Sequence, residues 1–315
     1  MIIDTHIHLV GAGRSFTDLR DKVSRIEDVI NLNSRFPELY QARLTEEPVD
    51  ISDDLVADFD RHGIDKGVVQ LTPGRGTNDA TSDQVARHPG RLFGLINLPN
   101  NTPTQRRVLD PWTQEAEDAG LRQAREDAAA EIVRCVEMAN MVGIGETHAE
   151  GYTVATHPEK IANDLKPFLD VAASFKLPIQ FPTGWSQFPG GLFYSDPVWT
   201  DEIAGRYPDL PVILTKMGRG LHHFDTALSI AMRNTNVYFD TVGTIGEHIR
   251  IAVDRLGAHR IMFGCDWSPT WRWLSDPTDL YSKRKKTLDD ANLTPADREQ
   301  IERRTAAQEF NLKVN

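Results

Sequence analysis

Cysteine is scarce. The chain has two, Cys135 and Cys265, too few and too far apart in sequence for a disulfide framework. A reducing, cytoplasmic setting is therefore expected. No apolar run approaches the ~18 residues that cross a bilayer, so no membrane span is expected. The first residues do not form the basic-then-apolar pattern of a signal peptide. Positive charge is in deficit. The 35 Lys and Arg residues face 46 Asp and Glu, a net charge of −11. This argues against nucleic acid and against an anionic membrane surface as partners. It says little about substrate, because local charge at a site can oppose the global sign. Internal repeats and low-complexity tracts are also missing. So is the Gly-rich phosphate turn that follows the first strand of a dinucleotide-binding sheet, which makes an open doubly wound sheet the weaker of two fold readings.

What the chain does have is a regular alternation. Among its 315 residues, 40% of them hydrophobic, eight short apolar segments read as strands: 2–8, 67–72, 92–98, 142–147, 178–183, 211–216, 236–241 and 260–266. Several are nearly continuous apolar runs, as strands buried on both faces should be. Helical patterns lie between them, at 53–62, 125–140, 159–175, 199–206, 223–232, 246–256 and 294–310. Eight strands alternating with helices predict an α/β fold, a (β/α)8 TIM barrel. Barrels of this length form one unit. A single domain over 1–315 is expected, with insertions at about 10–50 and 100–124. Both insertions are too long for ordinary strand-to-helix loops and are placed over the catalytic end or at a subunit contact.

The most informative stretch is Asp4-Thr5-His6-Ile7-His8. In a strand, side chains two apart share a face, so His6 and His8 project together with Asp4 below them. Two imidazoles on one face are two ready ligands for a borderline metal ion. Near the other end, an apolar strand delivers the carboxylate of Asp266 at its tip. In a barrel the strand C-termini converge on one site. That brings together His6 and His8, Glu146 with His148 beyond it, the Phe181-Pro182-Thr183-Gly184-Trp185 turn, Lys216 and Arg219 with His222 and His223, Asp240, and Asp266.

The chain resembles the amidohydrolase superfamily, in its amidohydrolase-2 branch, related to aminocarboxymuconate semialdehyde decarboxylase and to certain lactonases. The resemblance runs nearly end to end. It is carried by Asp4-Thr-His6-Ile-His8, by Asn78-Asp79 followed by Arg87-His88-Pro89-Gly90-Arg91-Leu-Phe-Gly94, by Asp196-Pro197 with Tyr207-Pro208-Asp209-Leu-Pro211, and by Phe263-Gly264-Cys265-Asp266-Trp267. Two departures stand out against the family pattern. Pro182 occupies the position of a strand-five metal-ligating histidine, and Lys216 that of a strand-six histidine that can act as base.

The resemblance implies an enzyme holding one divalent metal ion, zinc or manganese, on His6, His8 and Asp266, with Glu146 as a possible fourth ligand. Asp266 is also the candidate general base. Lys216 is a candidate catalytic charge, and Arg219, Glu146 and Trp185 are candidates for substrate binding. The ordinary alternative for Glu146 is an ion pair with Lys216 or Arg219. Trp267, Trp271 and Trp273 are expected to line the pocket or an interface, with core packing as the alternative. His148, His222 and His223 are expected at the periphery. His62, His88, His157, His248 and His259 are given no chemistry.

Three functions follow. The first is metal-dependent hydrolysis of a small carboxylated lactone, ester or amide. The second is non-oxidative decarboxylation of an aromatic or muconate-type acid. The third is a degenerate partner subunit of a hetero-oligomeric enzyme of this fold. The expected partner is a small carboxylate substrate, and the expected assembly a homo-oligomer, or a hetero-oligomer with a homologue.

Overall fold

A computed structural model of the chain describes residues 1–9, 50–71, 76–100, 113–138, 140–184, 191–219, 223–267 and 280–313. Eight parallel strands pair in sequential order: β1 (Ile3–His8), β2 (Lys66–Gln70), β3 (Leu92–Ile96), β4 (Met141–Ile144), β5 (Ile179–Pro182), β6 (Val212–Thr215), β7 (Val237–Asp240) and β8 (Ile261–Met262). Six lie within the segments expected of them, and β2 and β4 each begin one residue earlier. Helices α1 (Ser52–His62), α2 (Asn78–Ala86), α3 (Gln114–Cys135), α4 (Pro158–Phe175), α5 (Thr200–Arg206), α6 (Phe224–Arg233) and α7 (Gly246–Leu256) occupy the gaps between strands. After β8 come α8 (Leu280–Asp290) and a helical run over 295–309 with a π-helical turn at Gln300–Arg304. This is the (β/α)8 barrel.

The sheet closes between β1 and the residues that follow β8. The Thr5 amide donates to the Phe263 carbonyl at 2.9 Å, His8 to Trp267 at 2.7 Å, and Asp266 back to His6 at 2.9 Å. The Asp4 carboxylate reinforces the seam. Its Oδ1 accepts from the amides of His6 and Cys265, each at 3.0 Å, and its Oδ2 from the Tyr281 hydroxyl at 2.8 Å. Burial pushes the Asp4 carboxyl up to about 7, against the pull of those donors.

Side-chain alternation divides the strands. Ile7, Val69, Phe181, Leu214 and Phe239 face outward and pack under the helices. Val68, Leu95, Ile213 and Met262 face inward with Ile3 and meet Ala306, Phe310 and Leu312 of the C-terminal segment, which stops the lower end of the barrel. One pleat higher on the same inward face the apolar floor gives way to Gln70, Gln180, Thr215 and Asp240, all fully buried.

Three elements differ from expectation. Helix α3 starts at Gln114 rather than 125, so the second half of the 100–124 insertion is helical; Thr113 caps it by accepting from the Ala116 amide at 3.1 Å. Helices α2 and α8 fall in segments for which no helical range was read from the sequence. Helix α2 is polar, but Thr77 caps it, and Asn78 ties it inward. The Asn78 amide donates to the Asn97 carbonyl at 2.9 Å and to Glu131 at 2.7 Å, and its oxygen accepts from the Asn97 amide at 2.8 Å. Residues 10–49 and 101–112 of the expected insertions lie outside the described residues. Both cysteines are buried and unpaired with each other. Among the described residues no helix is long and apolar enough to cross a membrane.

The hydrogen bond from Arg134, opposed by partial burial and helped by Asn78, holds the Glu131 carboxyl at about 2, below its ordinary 4.5. A depressed carboxylate stabilises the fold above its unfolded pKa and loses that contribution as pH falls through its folded one. Glu131→Gln should therefore cost about 1 kcal/mol at neutral pH, discounted for solvent screening at this partly exposed site. The gap between variant and parent in urea unfolding should narrow as pH drops below 4.5 toward 2. A gap that stays constant across that range would rule this account out.

Candidate active site

The site forms where the polar inward layer meets the C-terminal ends of the strands. Strand periodicity sends His6 and His8 to the same face, with ring centroids 5.2 Å apart and planes at 67°. Their Nε2 atoms approach to 3.3 Å. His6 is fully buried and its Nδ1 lies 2.7 Å from Asp240 Oδ2. A carboxylate only accepts, so Nδ1 carries the proton and Nε2 turns its lone pair toward His8. The other Asp240 oxygen accepts from the amides of Lys216 at 2.7 Å and Val242 at 3.0 Å. One carboxylate thus orients a histidine of β1 and fixes the backbone after β6.

Asp266 enters from the far side of the seam. Its Oδ1 stands 3.3 Å from His8 Nε2 and 3.6 Å from His6 Nε2. Burial pushes its carboxyl up, but the hydrogen bond with His8 and the charges of Lys216, His6 and His8 hold it well below the usual range. At His6, burial and Lys216 pull the imidazole down while Glu146 and Asp240 raise it, and the net direction is up.

Opposite Asp266, Lys216 Nζ donates to Glu146 Oε1, which also accepts from Thr215 Oγ1 at 2.5 Å. Burial pushes the Glu146 carboxyl up, and Lys216, with the histidines, holds it down on balance. The Glu146 oxygens lie 3.7 Å from His6 Nε2 and 3.9 Å from His8 Nε2, and Lys216 Nζ lies 3.5 Å from His6 Nε2. Lys216 (φ 68°) and Asp266 (φ 66°) both adopt left-handed backbone. Such conformations cost about 1–3 kcal/mol each and persist only where the surroundings impose them.

Arg219 follows Lys216 and is half-buried. Burial lowers its guanidinium pKa, while the charges of Asp266, Glu146 and Asp240 oppose that shift. Gly184 (φ 106°) and Gly243 (φ 62°) make room for it. A Cβ at Gly243 would stand 2.9 Å from Arg219 Nε, and one at Gly184 would strike its backbone.

His6 Nε2, His8 Nε2 and Asp266 Oδ1 suit one divalent ion. Donors ~2.0–2.2 Å from a tetrahedral centre stand about 3.3–3.6 Å from one another. The three separations here are 3.3, 3.3 and 3.6 Å, one face of such a tetrahedron. The set offers two imidazole nitrogens and one carboxylate oxygen, a donor chemistry that zinc and manganese both accept.

Pro182 ends β5 and supplies no donor. Trp185, His222, Trp271 and Trp273 lie outside the described residues. Trp267 is in the core, not a pocket wall, its indole donating to Asp58 at 2.8 Å. His148 sits at the rim beside Glu150, 3.4 Å away, and His223 lies 3.7 Å from Asp196. His248 stacks on Phe224. Sequence reasoning placed Asp240 at a strand tip without giving it a task, and it passed over Gln70 and Thr215. The available signal was parity: each is the polar residue two beyond an inward apolar one, Val68, Ile213 or Tyr238.

Fold and site together define a barrel enzyme with a metal-competent mouth. The family model described as amidohydrolase (Amidohydro_2) matches residues 3–312, so the chain belongs to the amidohydrolase family. Three solved structures share its fold at low identity. One is 5-carboxyvanillate decarboxylase from Novosphingobium aromaticivorans, complexed with manganese and 4-hydroxy-3-methoxy-5-nitrobenzoic acid. It is 17% identical, with 99% of this chain and 96% of that one covered and a TM-score of 0.59. A probable 2-pyrone-4,6-dicarboxylic acid hydrolase from Acinetobacter baumannii, with citric acid bound, is 14% identical over 98% and 99% of the two chains, at TM-score 0.58. A 2,6-dihydroxybenzoate decarboxylase complexed with 2,6-dihydroxybenzoate is 17% identical over 99% of both, at TM-score 0.58. No curated protein matches.

Asp240→Asn keeps the side-chain shape and removes the anionic acceptor that sets the His6 tautomer. It should weaken Mn²⁺ or Zn²⁺ binding by about 10–100-fold, read by titration calorimetry, with the circular dichroism spectrum unchanged. Equal affinity in parent and variant would deny Asp240 this role.

Proposed function

We propose that the chain is a metal-dependent hydrolase of a small carboxylated lactone, ester or amide. The observation that supports this most is the meeting of an ionised Asp266 with two facing imidazole nitrogens at the barrel mouth. A divalent ion held by His6, His8 and Asp266 would polarise the substrate carbonyl and the attacking water as a Lewis acid. Asp266 would take the proton of that water. The Lys216 ammonium stabilises the negative charge that develops on the carbonyl oxygen. Arg219 binds the substrate carboxylate with its planar fork. Glu146 holds the Lys216 ammonium in place through their ion pair.

Decarboxylation of an aromatic acid is the second reading. What favours it is the substrates named for two of the three structures above, both benzoate-type acids. The partner-subunit reading draws on Pro182 and Lys216. Against it stands a buried cluster of Glu146, Lys216 and Asp266, which is costly to maintain without use.

Metal-loaded protein should open 2-pyrone-4,6-dicarboxylate, followed by loss of the pyrone absorbance, without releasing carbon dioxide. Chelation should abolish turnover, and Mn²⁺ or Zn²⁺ should restore it. Asp266→Asn should lower kcat by roughly 10²–10⁴-fold while the protein stays folded. Carbon dioxide from 2,6-dihydroxybenzoate or 5-carboxyvanillate would establish the decarboxylase instead. Inactivity on all three would sink both.

A further inference from the structure

Gln70 ends β2 with its side chain fully buried in the polar layer. Its amide nitrogen lies 3.2 Å from His6 Nε2 and 3.5 Å from His8 Nε2, so the tip of the side chain reaches toward the same point as the two histidines. Its Oε1, also buried, has no hydrogen-bond partner among the described residues. In this orientation an NH₂ group faces the two imidazole Nε2 atoms and the better acceptor is turned away. A half-turn of the amide about its last torsion exchanges the two atoms with almost no change of shape.

We propose that Gln70 is a ligand of the metal centre, giving its side-chain oxygen as the fourth donor beside His6, His8 and Asp266. The inference rests on the metal reading above and extends it to a residue on a different strand. Geometry supports it: 3.2 and 3.5 Å are close to the donor spacing of a tetrahedral site, and they match the separations among the other three ligand atoms. Charge supports it as well. Asp266 is the single anion among the four donors, because Glu146 is neutralised by Lys216. A neutral amide leaves a divalent centre with a net charge of about +1, suited to a carboxylated substrate. An amide oxygen is a hard donor and biases the site toward manganese over zinc.

The two orientations predict opposite signs. If Gln70 is a ligand, Gln70→Met, similar in length and without the oxygen, should weaken Mn²⁺ binding at least tenfold in calorimetry, and Zn²⁺ binding by less. Gln70→Glu, which keeps an oxygen there, should bind Mn²⁺ at least as tightly as the parent. If Gln70 only donates to the histidines it competes with the cation, and Gln70→Met should bind Mn²⁺ equally or more tightly. That result, or a Gln70→Glu protein that binds tenfold more weakly, overturns the proposal. Should Gln70→Met not fold, the Gln70→Glu titration alone carries the decision. A parent protein that takes up neither Mn²⁺ nor Zn²⁺ removes the metal reading itself. A parent that binds while Gln70→Met binds equally well removes Gln70 only.

Discussion

The whole arrangement depends on one seam, where the first strand meets the residues after the last. Hydrogen bonding in a parallel barrel is sequential, so seven of the eight contacts between neighbouring strands join segments close in chain order. The eighth joins the beginning of the chain to residues some 260 positions later. Asp4 is the clamp there, taking the His6 and Cys265 amides on one oxygen and thereby holding the residues next to two metal-competent groups. Burying a carboxylate is costly unless donors surround it. Here they do, and two of the three are backbone amides that must be paired in any case.

Above the seam, the barrel interior is layered by polarity. The lower half is apolar and stopped by the C-terminal segment, so the strands register against a packed core. The upper half spends that stability on a polar ring, a buried ion pair and left-handed backbone at Lys216, Met217 and Asp266. Lys216 and Asp266, the residues with the proposed catalytic charges, are two of these three. Their amides are held by Asp240 and by the His6 carbonyl. The same two strands that present the histidines and Asp240 therefore also impose the geometry of the charged residues.

Much of this was legible in the sequence. The eight strands could be read because strands buried on both faces are short apolar runs, and His6, His8 and Asp266 because a two-residue period and a strand tip fix direction without knowledge of neighbours. Helix α2 could not, since its polar composition gives almost no amphipathic signal and its stability comes from the Thr77 cap and the Asn78 ties. The start of α3 was missed because its first turns are polar and charged, resembling a loop. Trp267 was expected at the pocket or an interface, with core packing as the alternative, and it lies in the core. Gln70, Thr215 and Asp240 are single polar residues in apolar strands. Their meaning comes from register across strands far apart in sequence, and a linear reading does not supply register.

The position of the donors along the chain has a consequence for biosynthesis. His6 and His8 are made before the other strands, whereas Asp266 follows 258 residues after His8, behind all eight strands. During translation the two histidines emerge with no carboxylate partner and no Asp240 to set a tautomer. A complete cage exists only when the last strand has emerged and closed against the first. The three donors therefore come together only in a finished barrel, and any product that terminates before the eighth strand is left with two unassisted imidazoles.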